Sequence, residues 1–149
     1  LIFACGELRT PETLGALLAA ASRDAEEKSD ERHRLLFHLR KHRAEDSRSY
    51  FEAVFAEPAP AESGSKELKL LAAWGLLTLG PAPNAHAFLV RMLDDTRVVH
   101  VREGQVVGVE PGLSERAAQA LADIHHRAFR WGKGDVPKIK AHVRGLATR

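Results

Sequence analysis

"LLAAWGLLTLGPAPNAHAFL", residues 70–89, reads as a helix that stops at Gly80-Pro81 and then resumes. Nearly the same phrase opens the chain as "LIFACGELRTPETLGALL", residues 1–18. A shift of 71 places Leu1 on Ala72, Phe3 on Trp74, Cys5 on Leu76, Leu8 on Leu79, Leu17 on Phe88 and Leu18 on Leu89 without a gap. A shift of 34 places Leu1, Ile2, Phe3 and Cys5 on Leu35, Leu36, Phe37 and Leu39, and Leu17 on Phe51. "AAWGLLTLG" meets "AAQALADIH", 117–125, at a shift of 45. Each unit is a helix, a tight break and a second helix, recurring every ~35 residues, the period of a helical solenoid. One helical pair cannot bury its own apolar stripe, whereas stacked pairs bury it continuously, so the phrase recurs.

Local signals agree. Leu14, Leu17, Leu18 and Ala21 recur at three and four residues, and Thr10-Pro11 marks the start of that helix. Further apolar stripes run through Leu35, Leu36 and Leu39, and through Tyr50, Phe51, Val54 and Phe55. "EPAPAESGS", 57–65, reads as a loop, Asn84 as a cap candidate, and Asp135 as the cap of a last helix carrying Pro137 early. The period changes once. Val99, Val101, Val107 and Val109 alternate around Glu103-Gly104, which predicts a β-hairpin over 97–110. As an insertion, that hairpin explains the larger last shift. The expected fold is all-α: seven helices and one inserted hairpin, with the first helix truncated. Leu1 falls inside apparent helix, so the single domain 1–149 reads as a piece of a longer protein.

Composition narrows the function classes. Aromatics are only 6% while Ala and Leu abound, which favours helices. Cys5 is the single cysteine, which excludes an internal disulfide framework and a Cys-based zinc site and fits a reducing, cytoplasmic setting. No apolar run approaches the ~18 residues of a membrane span. A net charge of +2 falls short of a nucleic-acid-binding footprint by itself, although an acidic run, 23–31, is followed by the basic "RHRLLFHLRKHR", 32–43. Arg32, Arg34, Arg40 and Arg43 are therefore candidate contacts for phosphate or an acidic partner. The alternative is a solvated face balanced by the acidic run. His38 and His42 lie four apart, but no HExxH or P-loop pattern exists, and the histidines read as solvated or helix-terminal. No metal, cofactor or catalytic group is expected.

"LAAWGLLTLGPAPNAHAFLVRMLDD" and "SERAAQALADIH" resemble bacterial HEAT-type repeats: a small-residue helix, a turn, then a helix of the A-x-x-x-L-x-x-x-L-x-D form. Arg40 and His42 stand where the other units carry small or apolar residues. The resemblance implies an α-α superhelix acting as a non-catalytic protein-interaction scaffold. Its alternative is a nucleic-acid-binding or base-excision module, since some HEAT-like proteins are DNA glycosylases; Trp74, Trp131 and Asp123 would be available to it. In such solenoids the second helices, here 31–42, 66–79 and 114–127, line the concave face. The columns Ile2, Leu36, Ala73, Ala118 and Cys5, Leu39, Leu76, Leu121 are apolar throughout and should be buried. The neighbouring columns, Phe37, Trp74, Gln119 and Lys41, Thr78, Asp123, are mixed. Mixed polarity predicts an exposed apolar strip of Phe37 and Trp74 rimmed by Lys41 and Asp123. The competing reading makes both aromatics core.

Overall fold

The computed structural model describes residues 8–23, 29–58, 63–95, 112–130 and 135–147. Among them every regular element is helical and there is no strand. The α-helices are α1 (Pro11–Ala21), α2 (Ser29–His42), α3 (Arg48–Ala56), α4 (Ser63–Leu79), α5 (Pro83–Met92), α6 (Leu113–Ile124) and α7 (Asp135–Ala147), with a short 3-10 turn, Glu45–Ser47, before α3. The hairpin expected at 97–110 lies outside the described residues, as do Ile2 and Cys5.

Thr10 begins α1 as its sequence predicts. Its hydroxyl accepts the Thr13 N–H at 3.2 Å, the Thr13 hydroxyl accepts the Thr10 N–H at 2.8 Å, and Pro11 occupies the first turn. Two donors that no helical carbonyl can reach are thereby satisfied. At α5 the expected cap is displaced. The helix starts at Pro83 from Ala82, so Asn84 sits inside the first turn, because proline's fixed φ and missing N–H suit that turn. Asp135, too, is the first residue of α7.

The helix α4 is the centre. It packs on α2, α3, α5 and α6, and Leu70, Leu71, Ala72, Ala73, Trp74 and Leu76 are all buried. Consecutive packing also joins α1 to α2, α5 to α6 and α6 to α7, while α1 and α7 share no broad contact. Both apolar columns are buried where described: Leu36, Ala73 and Ala118 in one, Leu39, Leu76 and Leu121 in the other. Small residues set the spacing. A Cβ on Gly75 would stand 2.5 Å from the buried Phe51 ring, so α3 rests directly on the α4 backbone.

Charge is buried here as well. Glu67, on α4, is 1% exposed, with Arg116 Nε of α6 and His33 Nε2 of α2 each 2.9 Å from one of its oxygens. An isolated carboxylate in that position would be costly, and these two neighbours offset that cost.

Between α5 and α6 the chain returns to its starting point. Ser114 N–H donates to the Asp95 carbonyl at 2.8 Å, and α5 packs directly on α6. The ends of the intervening segment are thus already joined by the helices that flank it. Replacing residues 97–110 with a short glycine-serine linker is expected to keep the helical circular dichroism and a single cooperative urea transition, since shortening a loop lowers its closure cost slightly. Loss of cooperative unfolding would place that segment in the core.

Candidate functional site

The residues predicted to form a strip come together around Trp74, in a different arrangement. Phe37 is 36% exposed, but Trp74 is 4% exposed and belongs to the core. An exposed Phe37–Trp74 strip is therefore not formed. Arg40 is the reason. Its guanidinium lies over the indole at 3.7 Å from the ring centroid and 5.3 Å from the Phe37 ring, closing the indole from water. The indole N–H donates to Asp123 Oδ2 at 2.8 Å, and Arg40 Nη1 lies 3.9 Å from the same oxygen. Arginine, aromatic ring and carboxylate thus join α2, α4 and α6. Burial pulls the Arg40 guanidinium down to about 10; Asp123 opposes that, while Arg43 and Arg9 add to it. It stays charged at neutral pH, and a desolvated cation over an indole contributes about 2 kcal/mol.

Lys41 Nζ sits 4.8 Å from the Phe37 centroid. The half-buried Thr78 hydroxyl turns back to donate to the Trp74 carbonyl at 2.9 Å. Gln119 is half-buried and Asp123 remains 40% exposed on its side chain. Among the arginines named as phosphate or acidic-partner contacts, two are already engaged. Arg32 holds both oxygens of Glu57, at 2.6 and 3.3 Å, and Arg40 covers Trp74. Arg34 and Arg43 are exposed, Arg43 with a left-handed φ of 52° just past the end of α2. Phe37 and Arg34 therefore face solvent on α2, with the Lys41 ammonium over the Phe37 ring.

His38, read as solvated, is buried, with the Phe37 ring edge-on at 5.3 Å. A second histidine group escaped the sequence reading. His86 Nε2 of α5 and His125 Nε2 at the end of α6 face each other at 3.0 Å, and His142 of α7 packs edge-on against His125 at 5.5 Å. A hydrogen bond between two imidazoles needs one neutral acceptor. His125 is held below its ordinary value first by burial, then by His86, His142, Arg127 and His126. Among the described residues no group of three His, Cys, Asp or Glu is arranged to hold a metal ion, and no helix is long and apolar enough to cross a membrane.

Comparison with family models, with curated proteins and with solved structures finds no match to this chain.

Two outcomes follow from this geometry. Trp74→Ala is expected to lose ~3–5 kcal/mol of stability in urea unfolding, as a core aromatic does, while Phe37→Ala changes it by less than ~0.5 kcal/mol. Equal small losses would return Trp74 to the surface. The histidine group predicts a pH dependence of known sign. With its folded pKa depressed, the unfolded chain binds protons first, so stability is retained above the ordinary imidazole value of 6.5 and falls as pH drops below it. The fall ends below the folded pKa. Melting temperature between pH 7.5 and 5 should decline in the parent and decline less in His125→Gln.

Proposed function

We propose that this chain is a HEAT-like helical-repeat scaffold that holds an acidic protein segment against α2, without catalysis of its own. The observation that carries the reading is Phe37, a large apolar side chain left exposed in the middle of a cationic face. Arg34 and Lys41 lie at −3 and +4 from it on the same helix face, and Arg43 follows one turn beyond. Aromatic anchors ringed by charge suit a partner that brings an apolar side chain flanked by carboxylates. The superhelical architecture is supported by the packing order. Second helices follow one another as α2 on α4 and α4 on α6, and among the described residues α1 and α7 share no broad contact. In this reading 97–110 is a hairpin inserted between α5 and α6, which pack on each other.

The base-excision alternative is not favoured. Such chemistry needs an acid available to substrate, and Asp123 is occupied by the Trp74 indole and faced by Arg40.

The test is a nuclear magnetic resonance titration of the labelled chain with a glutamate- and leucine-rich peptide, and in parallel with single-stranded and duplex DNA. The peptide should shift amides around Arg34, Phe37 and Lys41, and Phe37→Ser should weaken it about tenfold, the loss of one anchor. Tighter DNA binding that collapses with salt would replace the scaffold reading by the nucleic-acid one.

A further inference from the structure

A second concentration of positive charge follows the end of α6. An open cleft of about 600 Å³ lies between the segment that follows α6 and the first turns of α7. Arg127 and Arg130 line one wall, and Asp135, Lys138 and His142 line the other, with Ala128 and Ile139 contributing apolar surface. That volume is in the range of small-molecule sites.

The one acid in the cleft is already fully engaged. Asp135 Oδ2 accepts the Arg130 backbone N–H at 2.7 Å, and Oδ1 accepts Lys138 Nζ at 2.9 Å. These bonds, Lys138 first and the Arg130 N–H second, hold its carboxyl below the usual range, so it is ionised and its charge is offset by Lys138. Among the described residues no carboxylate lies within ion-pair distance of the Arg127 or Arg130 guanidinium. Two fork-shaped donors are left facing one concave space.

Their backbone is braced. His126 takes the left-handed conformation, φ 51°, while its N–H bonds to the Asp123 carbonyl at 3.2 Å and the Arg127 N–H bonds to the Ala122 carbonyl at 2.7 Å. This pair of bonds is the Schellman closure of a helix. Together with the Asp135–Arg130 bond it fixes both ends of the short stretch carrying the arginines. A preorganised loop loses little entropy when a ligand binds. Arg127 Nη2 lies 3.4 Å from His142 Nδ1, which bounds the same cleft.

We infer that this cleft binds a small phosphorylated molecule, with Arg127 and Arg130 taking the phosphate oxygens and Ala128 and Ile139 meeting its organic part. A terminal phosphate offers three oxygens to two guanidinium forks, the geometry for which arginine is suited. The apolar wall distinguishes a phosphomonoester from the bare ion.

The test is a titration of the labelled chain with inorganic phosphate, phenyl phosphate and single-stranded DNA. Phenyl phosphate should give saturable shifts confined to 127–130 and 138–142 and bind several-fold tighter than inorganic phosphate. Arg127→Gln and Arg130→Gln should each weaken it about tenfold, the scale of one charge-assisted bond. The exposed Arg91→Gln, on α5, should leave it unchanged. All three side chains are exposed, so the melting temperature should stay at the parent value. Absence of saturable shifts, equal weakening by Arg91→Gln, or tighter binding of DNA at the same amides would overturn the assignment.

Discussion

Glu67 is the constraint on which the rest of the helix arrangement depends. A carboxylate 1% exposed has no water to solvate it, so its partners must come from other helices. They come from two: His33 on α2 and Arg116 on α6. Ala- and Leu-rich helices can slide by a turn and still pack apolar surface on apolar surface. A one-turn slip of α6 along α4 is about 5.4 Å, which would carry Arg116 out of reach of a contact now at 2.9 Å. The same three helices are joined a second time, toward their C-terminal ends, by Arg40, Trp74 and Asp123. Between these polar ties lie the apolar columns of Leu36, Ala73, Ala118 and of Leu39, Leu76, Leu121. Apolar burial drives the association, and the two charged groups select its register.

Much of this was legible in the sequence, and the part that was not has a physical cause. Helix positions and buried columns follow from local periodicity, which every residue of a helix repeats. Glu67 carries a readable signal as well: it lies three, four and seven residues before Leu70, Leu71 and Trp74, on the same buried stripe. The error lay in treating equivalent positions as equivalent environments. Phe37 and Trp74 share a column, but α4 is enclosed by four helices and α2 is not. Arg40, the residue that departs from the repeat, is the one that covers the indole. The His86–His125 pair was invisible for another reason. Its members are 39 residues apart, and only the docking of α5 on α6 brings them together.

The distribution of charge explains why a modest net value of +2 understates the surface. Several acids are engaged in internal ties. Glu67 holds Arg116 and His33, Asp123 holds the Trp74 indole, Asp135 holds Lys138, and Glu57 holds Arg32. Asp94 meets Lys140 and Glu45 meets Arg48 in the same way. Asp123 accepts from the neutral Trp74 indole and also faces Arg40 at 3.9 Å. Arg34 and Arg43 on and just past α2, and Arg127 and Arg130 just past α6, are exposed cations, Arg130 sharing its field with Asp135. Two positive regions therefore coexist on a nearly neutral chain: one built around an aromatic side chain on α2, and an open cleft lined by two guanidinium forks. Shape decides what each can hold. The first offers an apolar contact to a flat or extended partner, and the second encloses a compact anion.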